Sequence, residues 1–177
     1  VYLPRLGFVV SNSEAGLLDP SVSAAGRKNI SFDPATGDLG NVALGGEEAA
    51  ALKAMLARFS AQSAALVRGL FPQYAGALET GRTSFRPVEI EGREYSPRHD
   101  DRRLHVDAFP SRPLQGKRIL RLFANIARDG AERAWQVGEP FADFAAKLAP
   151  EISAPLPGSA WFMQRTGITK GRRSRYD

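Results

Sequence analysis

The chain has 177 residues, with 24 Lys and Arg against 19 Asp and Glu for a net charge of +5, two histidines and no cysteine. A hydrophobic share of 43% excludes a disordered chain, and the missing cysteine excludes disulfides, thiolate metal sites and a cysteine nucleophile. No apolar run approaches the roughly 20 residues that cross a bilayer, and the positive balance points to anionic partners. The length suits one domain with a real core.

Leu6 to Val10 reads as a short strand, followed by a polar turn and the small segment from Leu17 to Pro20. Residues 27–38 form a turn-rich loop, broken at Asp33-Pro34 and Thr36-Gly37. Glu47 to Leu70 is the clearest helix. Leu52, Met55, Leu56, Phe59, Leu66, Val67 and Leu70 recur at helical spacing and define one apolar stripe. Glu47 and Glu48 suit the positive end of its dipole. Thr83 to Ile90 reads as a strand interrupted at Pro87, and residues 91–103 as a polar loop.

The run from Arg103 to Pro110 carries the chemistry. It reads as a strand, and a strand points alternate side chains to one face. His105 and Asp107 then project together, while Leu104, Val106 and Ala108 turn the other way. An imidazole beside a carboxylate makes two of the three ligands of the 2-His-1-carboxylate triad that holds non-haem Fe(II). The bare tripeptide is equally a surface histidine next to an acid. The scarcity of histidine and the strand-like flanks favour the metal.

Arg118 to Ile126 is read as a second strand. Leu120, Leu122, Ala124 and Ile126 share one face, Ile119, Arg121, Phe123 and Asn125 the other. A buried Arg needs an anion, so Arg121 or Asn125 is a candidate for a carboxylate cosubstrate. The competing reading leaves Arg121 in water. Arg133 to Val137 reads as a short strand, and a helix starts at Gly138-Glu139-Pro140 and runs to Leu148, with Pro150 ending it. Ala160 to Gln164 is read as a strand, Thr166 to Arg173 as a glycine-bearing hairpin and Ser174 to Asp177 as the beginning of another strand. Basic residues crowd two places: Arg98, Arg102 and Arg103 before the His-x-Asp, and Lys170, Arg172, Arg173 and Arg175 at the end. Few aromatic residues interleave with them, so a stacking platform for nucleic acid is not supported. The pattern predicts an α+β protein dominated by an antiparallel sandwich or barrel.

Several of these stretches together resemble the Kdo hydroxylase family. They are residues 27–37, the run from Arg103 to Pro113, Gly116 with Arg118 to Asn125, Gly138-Glu139-Pro140-Phe141, and Gly171 to Asp177. The resemblance implies an Fe(II)- and 2-oxoglutarate-dependent dioxygenase with a double-stranded β-helix (jelly-roll) core, the long N-terminal helix packing on its sheet. It implies hydroxylation of the Kdo sugar of the lipid A inner core to Ko, with O2 as cosubstrate. It also implies a location in the bacterial cytoplasm, peripheral at the inner membrane, where a basic chain meets an anionic surface.

Carried over by residue, His105 and Asp107 match the first two metal ligands. The family's second histidine has no match after His105, and His99 lies upstream. The expectation is therefore a partial domain over 1–177, cut at both ends, whose distal ligand and part of whose 2-oxoglutarate site lie elsewhere. Arg121 and Asn125 are the cosubstrate candidates here. Arg102, Arg103, Arg172 and Arg173 are candidates for a sugar carboxylate or lipid phosphate, because guanidinium binds both bidentately. Two alternatives stay open: a 2-oxoglutarate oxygenase for another polar or lipidic substrate, and a metal-free jelly-roll module for anionic glycolipid.

Overall fold

The longest element is helix α1 (Gly46–Leu70), one residue longer than its apolar spacing predicts. It buries Leu52, Met55, Leu56 and Ser60, a stripe at i, i+3, i+4 and i+8. Glu47 and Glu48 occupy its first turn and Arg68 its last, each matched to the sign of the helix end. Pro72 fixes where it stops. The residue before a proline avoids the helical region, and Phe71 lies at φ −131°, ψ 63° while its N–H still donates to the Val67 carbonyl at 3.0 Å. A 3₁₀ turn, Pro72–Ala77, follows.

The computed structural model describes residues 2–4, 6–87, 111–132 and 135–174. The chain divides into two units: Val1–Arg93 with Leu122–Glu132, and Glu94–Arg121 with Arg133–Asp177.

In the first unit, α1 packs on a three-stranded antiparallel sheet of order β2-β1-β3. The strands are β1 (Ile30–Phe32), β2 (Leu39–Gly40) and β3 (Thr83–Phe85). Ser31 pairs with Gly40 on one side and Ser84 on the other. Alternation sorts the faces: Ile30, Phe32, Thr83 and Phe85 are buried, while Ser31 and Ser84 between them are not. The core adds Leu17 and Val22 from two short 3₁₀ turns to Ile30, Phe32, Phe85 and the α1 stripe. Each such side chain contributes roughly 1.5–3 kcal/mol by leaving water.

The expected turn-rich loop contains β1 and then reverses the chain into β2. Gly37 donates to the Asp33 carbonyl at 2.7 Å, and Asp33 donates to the Asp38 carbonyl at 2.9 Å. Gly37 sits at φ +74°, where a side chain would be strained.

The second unit is built from short helices. Helix α2 (Phe141–Leu148) lies where the two prolines placed it, with Pro140 as its N-cap and Pro150 in a following 3₁₀ turn, Ala149–Glu151. Helix α3 (Ser159–Arg165) corrects the expected strand from Ala160 to Gln164. A short run holding Trp161 and Phe162 favours a strand by propensity, but local hydrogen bonds decide otherwise. Gly158 at φ +80° reverses the chain, and Ser159 Oγ donates to the Leu156 carbonyl at 2.6 Å. Thr166 Oγ1 closes the other end on the Phe162 carbonyl at 2.9 Å.

Other expected strands are also absent among the described residues. Leu6 to Val10 has no ladder, and Arg58 Nη1 donates to the Val9 carbonyl at 2.8 Å, using an acceptor that a neighbouring strand would need. The Arg118 to Ile126 segment alternates only from Arg121 on, with Leu122, Ala124 and Ile126 half-buried and Arg121, Phe123 and Asn125 exposed, while Leu120 is exposed too, and among the described residues it pairs with no strand. Trp135 to Val137 is not a strand, and Thr166 to Arg173 makes turns rather than a hairpin. Ser174 opens no strand, and Tyr176 and Asp177 lie outside the described residues. Of Thr83 to Ile90, β3 accounts for the first three residues, and the segment from Val88 on lies outside the described residues.

Candidate functional site

The His105–Asp107 pair lies outside the described residues, as do His99, Arg102, Arg103 and Arg175. Among the described residues, no three His, Cys, Asp or Glu side chains group to hold a metal ion. The four remaining candidates have defined places.

Arg173 is the best placed of them. It is half-buried and lines a cleft of about 270 Å³ in the second unit. Ile152, Pro155 and Met163 give this cleft an apolar wall, and Ser153 and Ser174 add two hydroxyls. The guanidinium brings up to five N–H donors and no acceptor. Such a cleft suits a small anion that also carries hydroxyl and C–H surface. Its geometry is local in origin. Thr169 is buried, donates through Oγ1 to the Gly171 carbonyl at 2.8 Å and through its N–H to the Met163 carbonyl at 3.1 Å. The Lys170 N–H donates to the Ser111 carbonyl at 2.8 Å. These bonds run the chain back along α3 toward the cleft. Arg172, the next residue, is exposed.

Arg121 is exposed, which favours the reading that left it in water over the buried one. Asn125 serves its own loop. Its Nδ2 donates to the Ala131 carbonyl at 2.7 Å, and its Oδ1 accepts the Ala127 N–H at 3.1 Å. Asn125 belongs to the first unit and Arg121 to the second.

Sequence reasoning did not single out two ion pairs of the first unit. Arg58 Nη2 contacts both Glu14 carboxylate oxygens, at 2.8 and 2.6 Å, and its guanidinium lies 4.4 Å from the Phe8 ring centroid. Phe8 meets Phe59 edge to face at 5.2 Å. Burial would raise the Glu14 carboxyl, but the Ser11 N–H and the Arg58 guanidinium outweigh it and hold the group below its ordinary value. Arg82 Nε donates to Asp33 Oδ2 at 3.1 Å. The Ala35 N–H lowers the Asp33 carboxyl most, burial opposes it, and the Arg82 guanidinium helps to hold the group below its ordinary value. These partners lie 44 and 49 positions apart, so no local spacing announces them.

Comparison with solved structures defines the class. The chain matches a Kdo hydroxylase described as a non-heme Fe(II) alphaketoglutarate dependent dioxygenase, solved with alphaketoglutarate and Fe(III), with TM-score 0.87 and 45% identity over 96% of this chain and 56% of that one. The same enzyme with cobalt(II) gives TM-score 0.88 and 46% identity over 96% of this chain and 57% of that one. Its complex with succinate and Fe(III) gives 0.87 and 45%, with coverage of 96% and 56%. The chain thus spans little more than half the length of these structures. No curated protein matches it. The profile of the 3-deoxy-D-manno-oct-2-ulosonic acid (Kdo) hydroxylase family matches residues 1–177, and the chain belongs to that family.

Proposed function

We propose that this chain supplies the His105–Asp107 part of an Fe(II)- and 2-oxoglutarate-dependent dioxygenase that hydroxylates the Kdo sugar of lipid A inner core to Ko. The observation that carries the reading is the 45% identical structure solved with alphaketoglutarate and Fe(III), matched over 96% of this chain. The donor set suits the metal. An imidazole and a carboxylate are the ligands Fe(II) takes in this class, and the cysteine-free chain offers no competing thiolate. The triad's remaining ligand, a second histidine, has no match after His105 within residues 1–177.

When bound, iron would supply the oxidising chemistry by which 2-oxoglutarate, O2 and the sugar become succinate, carbon dioxide and the hydroxylated sugar. The chain's own residues bind and orient. Arg173, with Ser153 and Ser174 beside it, receives the sugar carboxylate in the cleft. Arg172, Arg102 and Arg103 add charge for lipid phosphates. Arg121 and Asn125 remain the candidates for the cosubstrate carboxylate, the guanidinium of Arg121 as a charged donor and the carboxamide of Asn125 as a neutral one.

Among the described residues no helix is long and apolar enough to cross a membrane. A net charge of +5 supports peripheral contact with the anionic cytoplasmic face of the inner membrane, where such a glycolipid lies.

The test is product mass. The chain joined to the remaining segment of a solved Kdo hydroxylase is incubated with Fe(II), 2-oxoglutarate, O2 and Kdo-lipid A. One added oxygen on the sugar, matched by succinate, is the expected result. Succinate formed only with another hydroxyl-rich substrate moves the assignment within the oxygenases. A purified joined chain that binds glycolipid but neither iron nor 2-oxoglutarate overturns it in favour of a binding module.

A further inference from the structure

Helix α2 carries its apolar residues on a face that the described chain leaves exposed in part. Phe141, Phe144 and Leu148 recur at i, i+3 and i+7, within one side of the helix. They are 68%, 38% and 39% exposed, the Phe141 and Phe144 rings stand 6.4 Å apart, and none of the eight residues of α2 is buried. A helix this short is not stable in water on propensity alone; its stability comes from packing an amphipathic face. An apolar face left in water marks an interaction surface.

The charges around α2 narrow the choice of partner. Residues 139–151 carry Glu139, Asp143 and Glu151 against Lys147 alone, and Lys147 is paired with Glu139. A helix that lies on an anionic membrane presents Lys and Arg on its polar side, whereas α2 carries one Asp and one Lys and its flanks add two glutamates. The match to solved hydroxylases takes in 96% of this chain, yet only 56–57% of theirs. Most of this fold therefore recurs in proteins that hold a large further segment.

We infer that the Phe141–Phe144–Leu148 face of α2 is the docking surface for the segment of a Kdo hydroxylase that lies outside this match. The interface is apolar and is made within the same fold, not with lipid or with a second copy. This rests on the reading above that the chain acts as part of such a hydroxylase.

The cysteine-free sequence allows a direct test. Single-thiol variants Phe144→Cys and Leu148→Cys report on the stripe, and Ala146→Cys reports on the opposite face. In the 177-residue chain all three react with a thiol reagent at similar rates. In the chain joined to the remaining segment of a solved hydroxylase, the Phe144→Cys and Leu148→Cys thiols slow at least tenfold and the Ala146→Cys thiol does not. A second measurement needs no joined chain: amide exchange in the intact solved hydroxylase, over the stretch aligned with 141–148, is at least tenfold slower than in α2 here.

Equal labelling of all three joined-chain variants overturns the inference, as does equal exchange. So does slowing in the 177-residue chain on adding anionic vesicles or on raising its own concentration, because the occupant is then a lipid surface or a second copy. An active joined chain with an unprotected Phe144→Cys thiol sinks the inference alone. A protected thiol in a joined chain without oxygenase activity sinks the functional reading alone.

Discussion

The two long-range stripes of this chain meet different fates. In the first unit, Leu52 and Met55 of α1 are 0% and 1% exposed, enclosed by β1, β3 and the 3₁₀ turns around Leu17 and Val22. In the second unit, α2 has an equally clear stripe and buries none of it. Among the described residues, Thr169 is the one buried side chain of that unit. In both helices the helical turn fixes which residues share a face but not what they face. Short-range bonds, such as those from Ser159 and Thr166 at the ends of α3, shape the second unit instead.

That contrast can be broken most severely in the core. Leu52→Ala should lower stability by roughly 2–5 kcal/mol in urea unfolding, since it removes a fully buried side chain and leaves a cavity. Gly37→Ala should cost about 1–2 kcal/mol, because φ +74° strains any L side chain. Its Cβ would also lie 3.2 Å from Lys53 Nζ, the movable end of a long side chain.

Arg58→Ala should cost about 1 kcal/mol in the same assay, a figure already discounted for the partial exposure of the pair. Its pH dependence has a definite sign. The Glu14 carboxyl is held below its ordinary value of 4.5 in the folded protein, so the pair stabilises above that pH and its effect fades as pH falls through the lowered folded value. The Arg58→Ala penalty should therefore shrink in acid, as urea midpoints measured from neutral pH downward will reveal. Leu148→Ala marks the other end of the scale, within about 0.5 kcal/mol in the 177-residue chain. A penalty there comparable to that of Leu52→Ala would erase the distinction between the units.

What could be read from the sequence follows the same division. Helix α1 is legible from its apolar period, α2 from Pro140 and Pro150 at its two ends, and the loop at 33–38 because Asp33-Pro34 and Thr36-Gly37 leave few conformations. The alternation of Leu122, Ala124 and Ile126 was also legible, and their burial follows it. The ladder was not, because an extended chain alternates whether or not a partner strand exists. Helix α3 was missed because five residues with two aromatics cannot separate helix from strand by period. Arg173 was singled out as an anion site, and its place in a cleft with Ser153 and Ser174 gives that expectation a physical setting. Arg121 is exposed, so burial imposes no need for an anion on it.

The account turns on His105 and Asp107, and turnover with single substitutions tests them most directly. In the joined chain, succinate release and oxygen addition to Kdo-lipid A are compared among the unsubstituted protein, His105→Ala, Asp107→Ala and His99→Ala. The account predicts at least a hundredfold loss for the first two variants and near-full activity for the third. Full turnover by His105→Ala would contradict it.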